Sequence, residues 1–233
     1  MRWSWYLLVC AGTLFSGILN GGLVFGLRMK LPHQRLDLYA FAFDYILGQP
    51  SFALGRVLLR LPWLRAASMV GYKAIYATIM LIISWYFLTQ EFEDAVAVAK
   101  SIFLSQLVVL VYIVIPVSGP RYVFPNFPAS FAGDTWPHVV SIDAVPNGVP
   151  SGHLTIALLV AYFARRWPVG KALGALNLIL TVSATLGEGE HYAFDLLAEI
   201  PFTAFLLYVS DNAFADWGIR FGAPCGTAAG WTG

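Results

Sequence analysis

Six apolar stretches, at roughly residues 5–27, 68–88, 96–117, 151–167, 171–187 and 193–210, limit what this chain can fold into. About 20 apolar residues suffice to cross the hydrocarbon core of a bilayer as a helix. Inside that core every backbone N–H and C=O needs an internal partner, which a helix supplies and an open sheet does not. The expectation is an all-α fold, a polytopic membrane bundle of about six transmembrane helices forming one domain over residues 1–233. The first stretch stays apolar through Leu27 with no obvious small-x-small cleavage site, so it reads as an uncleaved first span. The fourth and fifth are short, and the Pro168-Val169-Gly170 turn between them argues for two spans. Composition agrees: 12% of residues are charged, against about 25% in a soluble domain.

A formal net charge of +1 gives no basic excess for nucleic acid. Cys10 and Cys225 make no disulfide framework, and no kinase or P-loop motif occurs. Two connecting segments are more than simple loops. In 35–66, Leu54, Val57, Leu58 and Leu61 share one helical face and Arg56 and Arg60 another, which predicts one or two interfacial helices. Residues 118–150, rich in proline and aromatics, are too polar to span and predict a structured cap. Residues 211–233 read as a loosely ordered tail.

Chemistry-bearing residues gather at the span ends. His191 and Asp195, in Gly189-Glu190-His191-Tyr192-Ala193-Phe194-Asp195, are spaced i, i+4 and would share a helix face. The carboxylate could accept Nδ1–H and leave Nε2 free to attack, or the pair could merely cap a span. Pro150-Ser151-Gly152-His153 opens the fourth span. Ser151 suits an N-cap, Gly152 admits a ligand to the backbone, and the free N–H groups favour phosphate. His153 could then reach a leaving group. Arg121, the only basic residue between Lys100 and Arg165, is a candidate phosphate clamp or a snorkelling arginine. Glu188, Glu190 and Tyr192 flank His191. All three are candidates to bind a headgroup, the glutamates taking a polyol, amine or cation, though the glutamates could equally stay solvated. Asp134, His138 and Asp143 hint at metal without a recognisable ligand spacing, so the reading is metal-independent and cofactor-free.

Together these motifs resemble the type 2 phosphatidic acid phosphatase (PAP2) superfamily, over residues ~116–200. They look most like the branch with inositol phosphorylceramide synthases and sphingomyelin synthases. The resemblance implies that His191 attacks phosphorus, Asp195 orients it and His153 protonates the leaving group. It implies a lipid phosphatase or phospholipid headgroup phosphotransferase working through a phosphohistidine. Its partners would be the bilayer and a membrane lipid carrying a phosphate ester. Two family elements differ: Pro120-Arg121 reverses the usual Arg-Pro order with no lysine at the expected place before it, and Ala184-Thr185 stands where Ser-Arg is usual. The different-class alternative is a transporter or non-catalytic membrane scaffold, disfavoured because the ionisable residues gather at one boundary.

Orientation follows from charge. The tight turn Arg165-Arg166-Trp167-Pro168-Val169-Gly170-Lys171 favours the cytoplasm, which puts the motifs on the extracytoplasmic face. The basic residues between 28 and 65 pull the other way.

Overall fold

The apolar stretches form helices, and the computed structural model describes residues 2–31, 33–129, 131 and 136–212. Asp134, Cys225 and the tail beyond residue 212 lie outside the described residues. In chain order come α1 (Arg2–Lys30), β1 (Gln34–Arg35), α2 (Asp37–Ile46), α3 (Pro50–Arg60), α4 (Pro62–Lys73) and α5 (Ile75–Leu88). Then follow α6 (Phe92–Leu104), a 3-10 turn (Ser105–Leu107), α7 (Val108–Val114), α8 (Pro120–Val123) and β2 (Val140–Ser141). The last helices are α9 (Gly152–Ala164), α10 (Pro168–Gly187) and α11 (Ala193–Asn212).

Four helical stretches are long and apolar enough to cross a membrane: Trp3–Lys30, Phe92–Val114, Pro168–Gly187 and Ala193–Ser210. Helices α4 and α5 form a fifth if counted together, with a 53° bend between them. Helix α9 is apolar but only 13 residues long. This is a multi-pass, all-α membrane bundle whose apolar outer residues, such as Ile18, Leu81, Val114 and Ile179, are left for lipid. The second span begins earlier than its hydropathy suggests, because Pro62 at the first turn of α4 starts a helix that bends into α5.

One end of the bundle is tied by rings and charges. Trp3 meets Phe87, Trp85 stacks on Trp167, and Arg166 pairs with Asp94. The opposite end carries the connecting segments. Arg28, late in α1, binds Asp143 of the cap through two hydrogen bonds (3.1 and 3.0 Å). β1 pairs antiparallel with β2, Gln34 opposite Ser141. Helices α2 and α3 pack beneath the cap through Phe41, Phe52 and Phe124, all buried. Of the apolar face read in 54–61, Leu58 is buried and Val57 exposed, while Arg56 donates to the Pro128 carbonyl (3.2 Å).

The central core lies among α5, α6, α9 and α10, where Ile83, Ile102, Ala157 and Leu159 are fully buried. Polar side chains join the spans: Asn177 of α10 donates to the Gly71 carbonyl of α4 (3.2 Å), and Ser101 of α6 to Ser210 of α11 (3.0 Å). Helices α9 and α10 form an antiparallel hairpin, which carries Ser151 at the start of one and Glu188 at the end of the other to the same end of the bundle.

Candidate active site

Helix α10 ends so as to deliver His191. Gly189 has φ +71°, a left-handed turn that glycine adopts at little cost. The N–H groups of Glu190 and His191 then both donate to the Thr185 carbonyl (3.0 and 3.1 Å). A Cβ at Gly189 would come within 2.7 Å of the Phe127 ring. Thr185 itself is fully buried. Thr185, which the resemblance sets against an arginine, is thus a smaller side chain whose backbone caps the helix.

His191 precedes α11 rather than lying on it, so the pair with Asp195 does not arise from two turns of one helix. Asp195, in the first turn, reaches back and accepts the Tyr192 N–H (2.8 Å), as an N-terminal cap does. Its Oδ2 is 3.5 Å from His191 Nδ1. The hydrogen bond of that nitrogen runs instead to the Gly148 carbonyl, 3.0 Å away. A carbonyl only accepts, so Nδ1 carries the proton and Nε2 is left with its lone pair. That lone pair meets the Ser151 hydroxyl at 3.1 Å. Ser151 caps α9, accepting the Leu154 N–H (3.4 Å). His191, Asp195 and Ser151 are all buried.

His153, in the first turn of α9, stacks on Tyr72 of α4, with ring centroids 4.0 Å apart. Its Nδ1 is 3.1 Å from the Tyr72 hydroxyl. His153, His191 and Gly152 line one cavity of about 240 Å³. The structure therefore brings the two histidines, Ser151 and Gly152 together.

The remaining candidates are placed differently. Arg121 lies beside the His191 loop, its N–H donating to the Gly189 carbonyl (3.1 Å). Its guanidinium is held by Glu190 (2.5 Å), which also accepts the Tyr122 hydroxyl (3.0 Å). Glu188 is bound by Arg65 through two hydrogen bonds (2.6 and 2.7 Å), which hold its carboxyl below the usual range. Arg65, Arg121 and Glu188 line a second cleft, also about 240 Å³. Tyr192 is turned into the core, its hydroxyl on Asp37 (3.3 Å), rather than toward a headgroup. Asp143 is occupied by Arg28, and His138 is exposed. Among the described residues no group of three or more His, Cys, Asp or Glu could hold a metal ion.

Sequence reasoning missed the floor of the site. Asp37 and Asp44, seven apart on α2, are both fully buried. Asp37 accepts the N–H groups of Ser118 (3.0 Å) and Gly119 (2.8 Å), and Asp44 accepts the Ala193 N–H (2.6 Å) and the Ser51 hydroxyl (2.6 Å). One interfacial helix thereby fixes both the loop leading to Arg121 and the loop after His191. Burial pushes the Asp37 carboxyl up to about 6 against the opposing pull of the two backbone N–H groups. Burial raises Asp44 as well. The signal available was the seven-residue spacing of two acids on one face of an otherwise apolar segment. Tyr72 carried none, since a tyrosine in an apolar helix is ordinarily core.

No curated protein and no solved structure matches the chain. A family model described as PAP2 superfamily matches residues 44–209, from the second half of α2 almost to the end of α11, and takes in both histidines, Asp195, Ser151 and Arg121. With that match over most of its length, the chain belongs to the PAP2 superfamily, whose members are in general phosphatases.

Proposed function

We propose that this protein is an integral membrane lipid phosphatase or phospholipid headgroup phosphotransferase that works through a phosphohistidine. Within the superfamily we place it nearest the inositol phosphorylceramide synthase and sphingomyelin synthase-like branch, on its Gly-Glu-His-Tyr sequence. The observation that carries the reading is the pair of bonds on His191: the Gly148 carbonyl holds Nδ1 and the Ser151 hydroxyl meets Nε2 in a cavity shared with His153. An imidazole so held offers one defined lone pair to an electrophile.

In the first step the Nε2 lone pair attacks phosphorus and the P–O bond to the lipid alcohol breaks. The alcohol oxygen takes a proton from His153, whose other nitrogen rests on Tyr72. The Ser151 hydroxyl, displaced from Nε2, donates to a phosphate oxygen, with the backbone at Gly152 alongside. Arg121 joins the phosphate as its pairing with Glu190 gives way. In the second step water or an alcohol hydroxyl attacks phosphorus and gives its proton to His153. The P–N bond then breaks and His191 regains its lone pair. Asp195 stabilises the positive charge that His191 carries in between. Nucleophile, acid and anion holders are all side chains or backbone, so the proposed chemistry is metal-independent.

The test is incubation of purified protein with labelled phosphatidic acid and phospholipids, with and without alcohol acceptors, in chelator. Release of inorganic phosphate or a transferred headgroup is expected, with inhibition by vanadate, which imitates pentacoordinate phosphorus. His191→Ala and His153→Ala should each remove nearly all turnover. Near-normal activity in folded His191→Ala protein, or inactivation by chelator reversed by added metal, would sink the mechanism.

A further inference from the structure

The cavity that holds both histidines continues away from the motifs into the spanning part of the protein. Its far wall is α1, through Asn20 and Gly21, and the 3-10 turn that interrupts the Phe92–Val114 span, through Ser105 and Gln106. Amide and hydroxyl groups at that depth need partners, because lipid offers none. The Gln106 amide nitrogen donates to the Ile102 carbonyl (3.1 Å), but its Oε1 is buried with no hydrogen-bond partner among the described residues. The side chain lines the cavity, and a turn of its amide would bring that acceptor to an incoming hydroxyl or amide N–H. Helix α1 approaches without filling the space: a Cβ at Gly21 would meet nothing within 4 Å. The wall is uncharged, so it suits a neutral group rather than a second phosphate. It also lies outside the matched region on the α1 side, since the family model begins at residue 44.

In displacement at phosphorus the leaving oxygen departs opposite the nucleophile, and an incoming oxygen enters along the same line. The alcohol portion therefore sits beside His153 in either direction. We propose that the α1 wall is the alcohol subsite. Asn20 and Gln106 bind the uncharged, hydroxyl-, ester- or amide-bearing backbone that adjoins the phosphate of a lipid, and Gly21 leaves room for it. This rests on the phosphohistidine reading of His191 and adds the residues that select a lipid alcohol over a small soluble one.

The experiment compares phosphatidic acid with p-nitrophenyl phosphate, whose leaving group needs neither hydrogen bonds nor a wide pocket. The quantity read is the ratio of the two kcat/KM values in detergent-purified protein. Asn20→Leu and Gly21→Phe should each lower that ratio about tenfold or more, the loss falling on the lipid. Gly12→Phe, on an exposed part of α1, should leave it unchanged. An unchanged ratio in both cavity variants, including an equal loss on both substrates, overturns the subsite. If Gly21→Phe does not fold, the Asn20→Leu ratio decides. Turnover of p-nitrophenyl phosphate alone by the unaltered protein would leave the histidine chemistry standing and overturn the subsite. Turnover of neither ester, and no headgroup transfer from labelled phospholipid to an alcohol, overturns both; transfer alone moves the comparison to that phospholipid, on which Asn20→Leu must lose about tenfold while Gly12→Phe does not.

Discussion

At the scale of single residues, Nδ1 of His191 faces two neighbours of different kinds, a backbone carbonyl at 3.0 Å and a carboxylate at 3.5 Å. In a dyad where the carboxylate alone fixes the tautomer, replacing it by an amide costs up to about 10⁴ in rate. Here the Gly148 carbonyl takes the Nδ1 proton, so in the proposed mechanism Asp195 is left to balance charge beside its cap of α11. Asp195→Asn is therefore expected to lose about 10² in kcat, the low end of the roughly 10²–10⁴ expected for a His–Asp pair, with KM little changed. Single-turnover kinetics on labelled lipid would check this, and an unaltered rate would reduce Asp195 to a helix cap. The two histidines and the aspartate stood out as candidates because their types and spacing suit one chemistry. Gly148 did not, since a carbonyl belongs to every residue and only the fold says which one faces the ring. The engagement of Arg121 by Glu190 was equally hidden, because residues 69 positions apart in sequence meet only once the loops at 119–122 and 188–191 are folded together.

At the scale of elements, α2 does work that its sequence disguises. Read by hydropathy it is a helix resting on the membrane. In the fold, its two acids brace the loops on either side of the site from below. Asp37 has its carboxyl raised to about 6 from an ordinary value of 3.8. Between those values the folded state holds the proton more tightly than the unfolded state, so the stability this group contributes is greatest at low pH. It is lost as pH rises through about 6. Asp37→Asn should flatten that dependence: thermal unfolding in detergent at pH 4.5 and 7.5 should show a smaller difference than in the unaltered protein. A difference of the same size would show that Asp37 does not titrate in this interval. Spans were readable from apolar runs, and the reversal before α10 from Pro168, although Pro168-Val169-Gly170 opens that helix and the turn itself lies at residues 165–167. The bend between α4 and α5 was not, because apolar character runs through it unbroken.

At the scale of the whole molecule, the α9–α10 hairpin sends Ser151 and His191 to one face and the Arg165–Lys171 turn to the other. Trp3, Trp85 and Trp167 gather with that turn, and Arg28 at the far end of α1 joins the cap. If the basic turn marks the cytoplasm, the site faces away from it. Of the basic residues between 28 and 65 that pull the other way, Arg28 is met in the fold by Asp143 and Arg65 by Glu188. A cysteine placed at Ala129, exposed beside the cap, should react with an impermeant thiol reagent in intact cells. Labelling only after the cytoplasmic face is opened would reverse the orientation.

Helix α9 has 13 residues, about 20 Å of rise, where the hydrocarbon of a bilayer is about 30 Å thick. His153 stands at its head. Either the surrounding acyl layer is pinched along this side of the bundle, or the histidine lies several ångströms beneath the plane of the headgroups. A pinched bilayer brings the phosphate down to the histidine, whereas an unpinched one makes the phosphate descend several ångströms below its neighbours, so both cases tie access to the thickness of the host membrane. For the lipid reaction proposed above, acyl length in the surrounding lipid thereby becomes a variable, set by the short helix α9 rather than by any residue that touches substrate.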